Sequence, residues 1–456
     1  MNQPDKLDFK KILPIFVIIL VNLLGLTIII PLMPLYATTF GADAWTIGLL
    51  GATYPIAQFV GAPILGRLSD RYGRRPVLLF SQLGTLIGFI VLGLADALWL
   101  LFLSRLIDGL SGANISTAQA VITDNTTEKT RTQGLGLVGA AFGLGFVIGP
   151  IIAAVSLTVS GDNYHVPAFI ASAFSLASLL LTYFWLPESL PAERRGQSKR
   201  RAFSFGALSE AVRHPEVGLL LVLIFAQQVA FGGFEQLFSL FTLNRLGLNA
   251  AGNAGLFTLI GVLVVAVQGY FVGRWSREYG DRRLVFGGLL ALALGLSLVA
   301  LTPAQAAPWY DRAALAEELS RGGAGHTNEA ATGDIPVTLP DEATRGWAGL
   351  AWLVVALVPT ALGGGVLQPA INSLITKRIE PDEIGGMLGI SAALLSGANA
   401  FAPLFGGALF QAFGSTTPFL TGGLILALLF VAALRWVRPG REEQAAAGLA
   451  RGRGGH

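Results

Sequence analysis

Long apolar runs alternate with short polar connections along the chain, a pattern typical of a helical membrane protein. A helix needs about 20 apolar residues to cross the hydrocarbon core of a bilayer. Twelve runs reach or approach this length, and they predict an all-α membrane protein with 12 transmembrane helices. The predicted helices cover residues 12–36, 45–66, 77–95, 98–123, 134–157, 167–186, 217–243, 252–272, 284–302, 347–376, 384–413 and 418–436.

A charged connection between the second and third runs returns between the eighth and ninth. Residues 66–76 read GRLSDRYGRRP and residues 273–283 read GRWSREYGDRR, at an offset of 207. Pro150 and Pro403, in the fifth and eleventh runs, align at an offset of 253, as do residues 121–124 and 374–377. This internal repeat predicts two pseudo-symmetric six-helix bundles, with an insertion of about 46 residues in the second.

The repeat sets the expected division of the chain. We predict an N-terminal bundle over 1–186, a linker over 187–215 and a C-terminal bundle over 216–438, with a disordered tail over 439–456. The linker contains a possible amphipathic helix at 203–212. The acidic insertion at 303–346 is either a solvated loop or a lid or docking element.

The positions of lysine and arginine predict the orientation. Of the 31 such residues, only Arg245, Arg312, Arg321 and Arg345 fall on the insertion side, and Arg105 lies within a span. Cytoplasmic connections collect positive charge. We therefore expect a multi-pass protein of the cell (inner or plasma) membrane with both termini cytoplasmic and an extracytoplasmic insertion.

Composition narrows the function classes. Only 13% of residues are charged, against roughly 25% in soluble proteins. Most basic residues lie in the connections on one side of the predicted helices, and this topology accounts for the net charge of +3. We therefore expect a lipid bilayer as the partner and no nucleic acid. There is no cysteine, and the four histidines lie outside the runs, so we expect no metal, no cofactor and no enzyme.

Three ionisable residues interrupt the predicted spans. Each costs about 2.5–3.5 kcal/mol to insert, so each is a functional candidate. Arg105 and Asp108 are three residues apart and share a helix face with Gly112, Ile115 and Gln119. They form either a structural ion pair or a proton-coupling site.

Glu235 shares a predicted polar face with Gln228 and Gln236. It is a candidate proton or substrate-cation site; the alternatives are a hydrogen-bonded structural carboxyl and a group near the outer mouth. Other polar residues in the spans could line a cavity for an amphiphilic small molecule or join helices by hydrogen bonds. The candidates for the cavity are Asn22, Gln58, Gln119, Gln228, Gln236, Gln368, Asn372 and Asn399.

Several of these residues also resemble those of a known family. Residues 66–76 resemble the signature loop of the major facilitator superfamily of secondary transporters. Arg105 and Gly109 match its fourth-helix motif, in which Asp108 replaces a frequent glutamine. Gly145, Gly149 and Pro150 resemble the antiporter motif of its drug/proton branch.

Apart from the insertion and the tail, the chain resembles the 12-helix tetracycline and multidrug exporters. The resemblance implies alternating access, a proton gradient as the energy source, proton coupling through Arg105, and a role in antibiotic resistance. The tetracycline exporters carry an acid in the first helix where this chain has Asn22. We expect a monomeric exporter; the alternatives are a proton-coupled importer, a non-transporting receptor and a membrane-embedded enzyme.

The resemblance also implies a conformational latch on the cytoplasmic side. Asp70 would face the start of the eleventh helix near Ile384, and Arg74 would meet Asp124. The second copy has Arg277 in place of Asp70, so we expect an asymmetric latch. The predicted latch residues are Gly66, Asp70, Arg71, Gly73, Arg74, Arg75 and Asp124.

Overall fold

A computed structural model describes residues 9–112, 114–126, 130–196, 205–321, 338–379, 384–437 and 439. The predicted disordered tail lies outside these residues except at Pro439. Across the described ranges the regular structure is helical throughout. The helices are α1 (Phe9–Ile29), α2 (Met33–Thr39), α3 (Ala44–Tyr72), α4 (Arg74–Gly93), α5 (Leu98–Leu110), α6 (Asn114–Asp124), α7 (Arg131–Ser160), α8 (His165–Trp185), α9 (Phe205–Val212), α10 (Gly218–Leu246), α11 (Ala250–Ala266), α12 (Val272–Tyr279), α13 (Asp281–Ala300), α14 (Arg312–Arg321), α15 (Ala348–Arg378), α16 (Ile384–Phe413) and α17 (Thr417–Trp436).

The helices confirm the predicted fold class. Eleven helical segments in the described ranges are long and apolar enough to cross a membrane, and α5 with α6 supplies the remaining predicted span. A π-helical turn, Val267–Phe271, joins α11 to α12 within the eighth span. The linker helix predicted at 203–212 is present as α9.

The first predicted run, 12–36, holds two helices instead of one. α1 ends at Ile29, and α2 begins at Met33. Pro31 and Pro34 lie at and just beyond the break. Proline has no backbone N–H to donate and clashes with the preceding turn. The apolar composition therefore overestimated the length of this helix.

The predicted fourth span is interrupted at Ser111 and Gly112. Side chains from neighbouring helices meet the carbonyl groups at the break. Ser81 donates to the Ser111 carbonyl, and Gln58 Nε2 donates to the Gly112 carbonyl at 2.8 Å. Non-helical backbone at membrane depth is tolerated where other protein groups hydrogen-bond its free polar atoms. Side chains of the neighbouring helices therefore stabilise the break.

The chain forms two compact units. Unit 1 comprises Met1–Arg200, Gln236–Val262 and Ala304–Trp347, and unit 2 comprises Arg201–Glu235, Leu263–Pro303 and Ala348–His456. In unit 1, α1 packs against α7 and α8, while α4 packs against α5 and α8. In unit 2, α13 packs against α15 and α17. The division at 186 and 216 follows the sequence repeat and remains a prediction.

The insertion is folded where the structure describes it, which excludes a wholly solvated loop. The Ala307 amide donates to the Leu246 carbonyl at 2.8 Å, so the insertion is tied to the end of α10. Leu315 and Leu319 of α14 are buried. The alternative of a lid or docking element remains a prediction.

Candidate functional site

The two ionisable residues of α5 form a buried ion pair. Arg105 Nη1 lies 3.2 Å from Asp108 Oδ2, and the residues are 5% and 2% exposed. Arg105 Nη2 also donates to Ser104 Oγ at 3.1 Å, and the guanidinium lies 5.5 Å from the centre of the Phe89 ring. Within the described residues, Arg105 Nε has no hydrogen-bond partner. The pair therefore leaves part of this guanidinium unsatisfied.

A small cavity with both polar and apolar lining residues adjoins the ion pair. Its volume of about 20 Å³ is enough for about one water molecule. The Asn22 side-chain nitrogen is buried, and it too lacks a partner in the part of the chain that is described. The first and fourth spans therefore place an amide and a carboxyl at one cavity. Its lining residues are Asn22, Leu26, Tyr54, Thr85, Phe89, Asp108, Gly112 and Ile115.

Two polar residues of this lining, Thr85 and Tyr54, were missed by sequence reasoning. The Thr85 hydroxyl is hydrogen-bonded to the Asp108 carboxylate. Tyr54 Oη accepts from Gln58 Nε2 at 3.1 Å, which places Gln58 next to the cavity. Tyr54 and Gln58 are one helical turn apart, and this spacing in the sequence could have identified Tyr54 as a neighbour of Gln58. Gln119 is exposed and does not line this cavity, because the break before α6 interrupts the predicted helix face.

The glycines of the two family motifs permit close helix packing. A Cβ atom at Gly109 would lie 2.5 Å from the Tyr54 carbonyl oxygen, so α5 lies directly on the α3 backbone. A Cβ at Gly149 would lie 2.2 Å from Thr27 Oγ1, whereas at Gly145 it would make an ordinary contact with α1. Pro150 follows inside α7. These residues set how α5 and α7 approach the helices beside the cavity.

In unit 2, the structure brings some of the predicted cavity residues together. Gln228 Nε2 donates to Asn399 Oδ1 at 2.8 Å, joining α10 to α16. Asn372 accepts from Ser391 Oγ at 3.1 Å, and Gln368 lies half-buried one turn before it. Gln236 belongs to unit 1.

Glu235 is half-buried, and its carboxylate makes no hydrogen bond or ion pair with described residues of its own unit. An apolar cavity of about 190 Å³ lies between α10, α16 and α17. Phe225, Phe401 and Phe405 contribute aromatic rings to its wall. Unit 2 therefore combines a carboxyl, paired amides and an aromatic pocket.

In the first charged connection, Arg74 is the central residue. Its Nε donates to Asp124 Oδ2 at 3.1 Å, which is the expected contact with the end of the fourth span. Its Nη1 donates to Asp70 and to Ser69 Oγ, the latter at 2.9 Å. The predicted approach of Asp70 to Ile384 remains a prediction.

A carboxylate that sequence reasoning missed caps α4. Glu188 accepts from the backbone amides of Arg74 and Arg75 at 2.9 and 3.2 Å. Gly73 has φ +110°, and a Cβ there would lie 2.4 Å from Glu188 Oε2. The cap and the left-handed backbone both require glycine at this position. Arg75 also donates to the Tyr183 carbonyl. Among the described residues, Arg71 and Gly66 make no hydrogen bond to the Glu188 cap.

The second charged connection keeps the same arrangement with the charges exchanged. Asp281 stands where the first copy has Arg74, and it is 4% exposed. Lys377, aligned with Asp124, donates to Asp281 Oδ2 at 2.6 Å. Ser276, aligned with Ser69, donates to Oδ1. The asymmetry expected from Arg277 does not extend to this pair, because both partners changed sign together.

The structure combines membrane-crossing helices with an ion pair buried in one span and a further ion pair at each copy of the charged connection. These features are typical of a polytopic membrane transporter. The chain belongs to the Major Facilitator Superfamily, whose sequence model matches residues 15–316 and 343–453. The predicted family is thereby confirmed.

Individual relatives agree with the resemblance to drug exporters. The chain is 27% identical over 391 residues to the class B tetracycline resistance protein of Escherichia coli, covering 85% of each chain. It is 30% identical over 278 residues to multidrug resistance protein 2 of Bacillus subtilis, covering 59% of this chain and 69% of that one. The structure of the human organic anion transporter MFSD10 has a TM-score of 0.64 at 23% identity, covers 95% of this chain and 100% of that one, and shows the fold alone.

Proposed function

We propose that this chain is a proton-coupled exporter of amphiphilic small molecules that works by alternating access. The observation that carries the proposal is the Arg105–Asp108 ion pair beside a cavity within the spans. Buried ionisable groups in spans mark proton or substrate pathways. The tetracycline and multidrug resistance proteins among the relatives support export of drug-like compounds.

Asp108 is the proposed proton carrier. A proton on its carboxyl removes the negative charge that holds Arg105, so protonation and ion pairing compete for one group. Binding a proton therefore frees the Arg105 guanidinium, and losing the proton recaptures it. Thr85 remains hydrogen-bonded to the carboxyl and orients it toward the cavity.

The carboxyl is on a different helix from that of the tetracycline exporters. The resemblance places their acid at the position of Asn22, and here Asn22 and Asp108 line one cavity. A carboxyl is thus retained beside the same space, although the fourth span supplies it. This arrangement supports proton coupling despite the departure at Asn22.

Glu235 is the proposed second carrier or the site for a cationic substrate. Its carboxylate lacks a partner in the described part of unit 2, so it is available to a proton or a cation. The aromatic cavity and the Gln228–Asn399 pair suit a substrate with apolar and polar parts. We expect Gln58, Gln236, Gln368 and Asn372 to contribute polar contacts.

The orientation and the latch belong to the same proposal. Both termini and both charged connections lie in the cytoplasm by the positive-inside rule, and the insertion lies outside the cell membrane. The cluster of Asp70, Arg74, Asp124 and Glu188 then stabilises one cytoplasmic conformation. The transporter functions as a monomer, needs only the proton gradient, and is not an enzyme.

Drug-stimulated proton release from purified protein tests this proposal. Adding a cationic dye that the chain exports should release protons from the wild type into weakly buffered solution. Asp108→Asn and Glu235→Gln should each reduce the yield. Glu317→Gln, at an exposed residue of α14, is the matched control and should release as many protons as the wild type. Unchanged release from both span variants would contradict the assignment.

A further inference from the structure

A second cavity of unit 2 opens beside the second charged connection. It has a volume of about 330 Å³ and lies between α12, α13 and α15. Trp275, Tyr279 and Arg283 line the end near the connection, and the other lining residues are glycine or aliphatic. This space, called the α13 groove below, is therefore polar and aromatic at the connection and apolar along the span.

The α13 groove is about as deep as one leaflet of a bilayer. Ala291, the lining residue farthest along α13, lies ten residues after Asp281, where the helix begins. Ten residues correspond to roughly 15 Å along a helix axis. The hydrocarbon core of a bilayer is about 30 Å thick, so one leaflet contributes about half of it. The length of the groove therefore matches an acyl chain of one leaflet.

The groove is open on one side. Gly287 is exposed, and a Cβ atom there would meet nothing within 4 Å. Leu290 and Leu294 share this face of α13 and are 42% and 52% exposed. Contiguous apolar surface of this kind marks a contact with lipid or with another apolar partner. An acyl chain can therefore enter the groove from the side.

Arg283 supplies a positive charge at the mouth of the groove. The residue is exposed and makes no hydrogen bond or ion pair within the described part of the chain. Its neighbours are engaged elsewhere in unit 2. Arg282 donates to the Val437 carbonyl at 2.7 Å, and Asp281 accepts from Lys377 at 2.6 Å. The Arg283 guanidinium is thus the group that can bind an anion at this end.

The first copy of the charged connection lacks this combination. At the offset of 207, Pro76 stands in place of Arg283 and Phe80 in place of Gly287. The cation at the mouth and the glycine in the wall are therefore features of the second copy alone.

These parts match the chemistry of an anionic phospholipid. A guanidinium binds phosphate through two parallel hydrogen bonds. Tryptophan and tyrosine are enriched where headgroups meet hydrocarbon, and Trp275 and Tyr279 lie at the same end as Arg283. Basic pockets between membrane helices are known to take anionic headgroups.

We propose that the α13 groove binds an anionic phospholipid, with its phosphate on Arg283 and one acyl chain running past Gly287 toward Ala291. The lipid fills the space between α12, α13 and α15 and joins these helices. The site is separate from Asp108, from Glu235 and from the aromatic cavity lined by Phe225, Phe401 and Phe405.

Photo-crosslinking in lipid nanodiscs tests the proposal. The full chain is placed in phosphatidylcholine with a trace of phosphatidylglycerol that carries a diazirine in one acyl chain, and labelled peptides are mapped by mass spectrometry. We expect labels within residues 284–291 and 362–366. Unlabelled phosphatidylethanolamine should compete about five-fold less well than unlabelled phosphatidylglycerol, which is the effect of one interfacial arginine on an anionic lipid.

Three variants separate the headgroup contact from the chain contact. Arg283→Gln should lower labelling of the groove by phosphatidylglycerol about five-fold and make the two competitors equal. Arg277→Gln removes an exposed arginine of the same connection that does not line the groove, and it should be labelled like the wild type. Gly287→Phe introduces the residue of the first copy and should prevent labelling by filling the groove. Thermal unfolding checks that each variant is folded, and if Gly287→Phe is not, Arg283→Gln decides.

Equal competition by the two lipids in the wild type would overturn the proposal. So would equal labelling of Arg283→Gln and Arg277→Gln, or full labelling of folded Gly287→Phe. Loss of the label on addition of ethidium, a cationic dye, would assign the groove to a transported compound and would also overturn it. Because no transport is measured, failure here is distinguishable from failure of the proposed transport function.

Discussion

Asn22 and Asp108 bring an amide and a carboxyl to the same site. They come from the first and fourth spans, yet they line one cavity with room for about one water molecule. Asn22 has a buried side-chain nitrogen without a partner among the described residues. In the proposed mechanism the proton needs a carboxyl at this cavity, and the helix that supplies the carboxyl is secondary.

The first prediction exchanges these two residues. Asp108→Asn should abolish proton-coupled transport, because the cavity then has no carboxyl. Adding Asn22→Asp should restore a measurable part of it. Dye efflux from energised cells measures both, with membrane expression matched by immunoblot. If the double variant is as inactive as Asp108→Asn while equally expressed, the cavity does not act as a single proton site.

The second prediction concerns the ion pair. Removing one partner of a buried pair leaves an uncompensated charge and costs about 3–5 kcal/mol. Asp108→Asn should therefore unfold at a lower temperature than the wild type. Arg105→Gln combined with Asp108→Asn should recover most of the loss, although it remains inactive. Thermal unfolding in detergent measures this; an equal loss in single and double variants would contradict the buried-charge account.

At the scale of elements, the two charged connections perform one structural task with opposite charges. In unit 1 the cation Arg74 lies at the start of α4 and the anion Asp124 at the end of α6. In unit 2 the anion Asp281 lies at the start of α13 and the cation Lys377 near the end of α15. Attraction is preserved because both partners were exchanged.

The third prediction transplants the first pair into unit 2. Asp281→Arg alone places a cation beside Lys377 and should destabilise the protein by about 1.5–3 kcal/mol, the usual contribution of a hydrogen bond to a charged group. Adding Lys377→Asp should return at least half of that loss. Chemical denaturation of the single and double variants gives the coupling. Additive losses would show that the pair does not stabilise unit 2.

The fourth prediction compares the glycines that precede α4 and α13. Gly73 and Gly280 both have positive φ, +110° and +81°, so alanine strains either backbone. Only at Gly73 would the new Cβ meet another side chain, that of Glu188. Gly73→Ala should therefore destabilise more than Gly280→Ala by thermal unfolding. Equal losses would mean that the Glu188 cap contributes little.

The sequence predicted the spans well, because apolar length and one-sided positive charge are properties of single segments. It did not predict the break at Ser111, since the groups that support it, Ser81 and Gln58, come from other helices. The Glu188 cap of α4 and the hydrogen bond from Tyr164 to Glu318 likewise join residues more than 100 positions apart. The Arg105–Asp108 pair was predictable because its partners are one turn apart.

For the whole molecule, the proposed mechanism requires the proton gradient to supply enough energy for export. One charge moving through 100 mV yields about 2.3 kcal/mol, and each tenfold concentration ratio requires about 1.4 kcal/mol. One net charge per cycle can therefore sustain roughly a 50-fold substrate gradient. For a neutral substrate, one proton site such as the proposed Asp108 is therefore energetically sufficient.

The most direct test of proton-coupled export is the direction of substrate movement relative to protons. Purified protein in proteoliposomes with an acidic lumen should accumulate a cationic dye, and the lumen should become more alkaline as the dye enters. Antiport has this signature whichever way the protein is inserted. Collapsing the gradient or introducing Asp108→Asn should stop accumulation. Accumulation only when the lumen is alkaline would show movement together with protons, and would contradict the exporter.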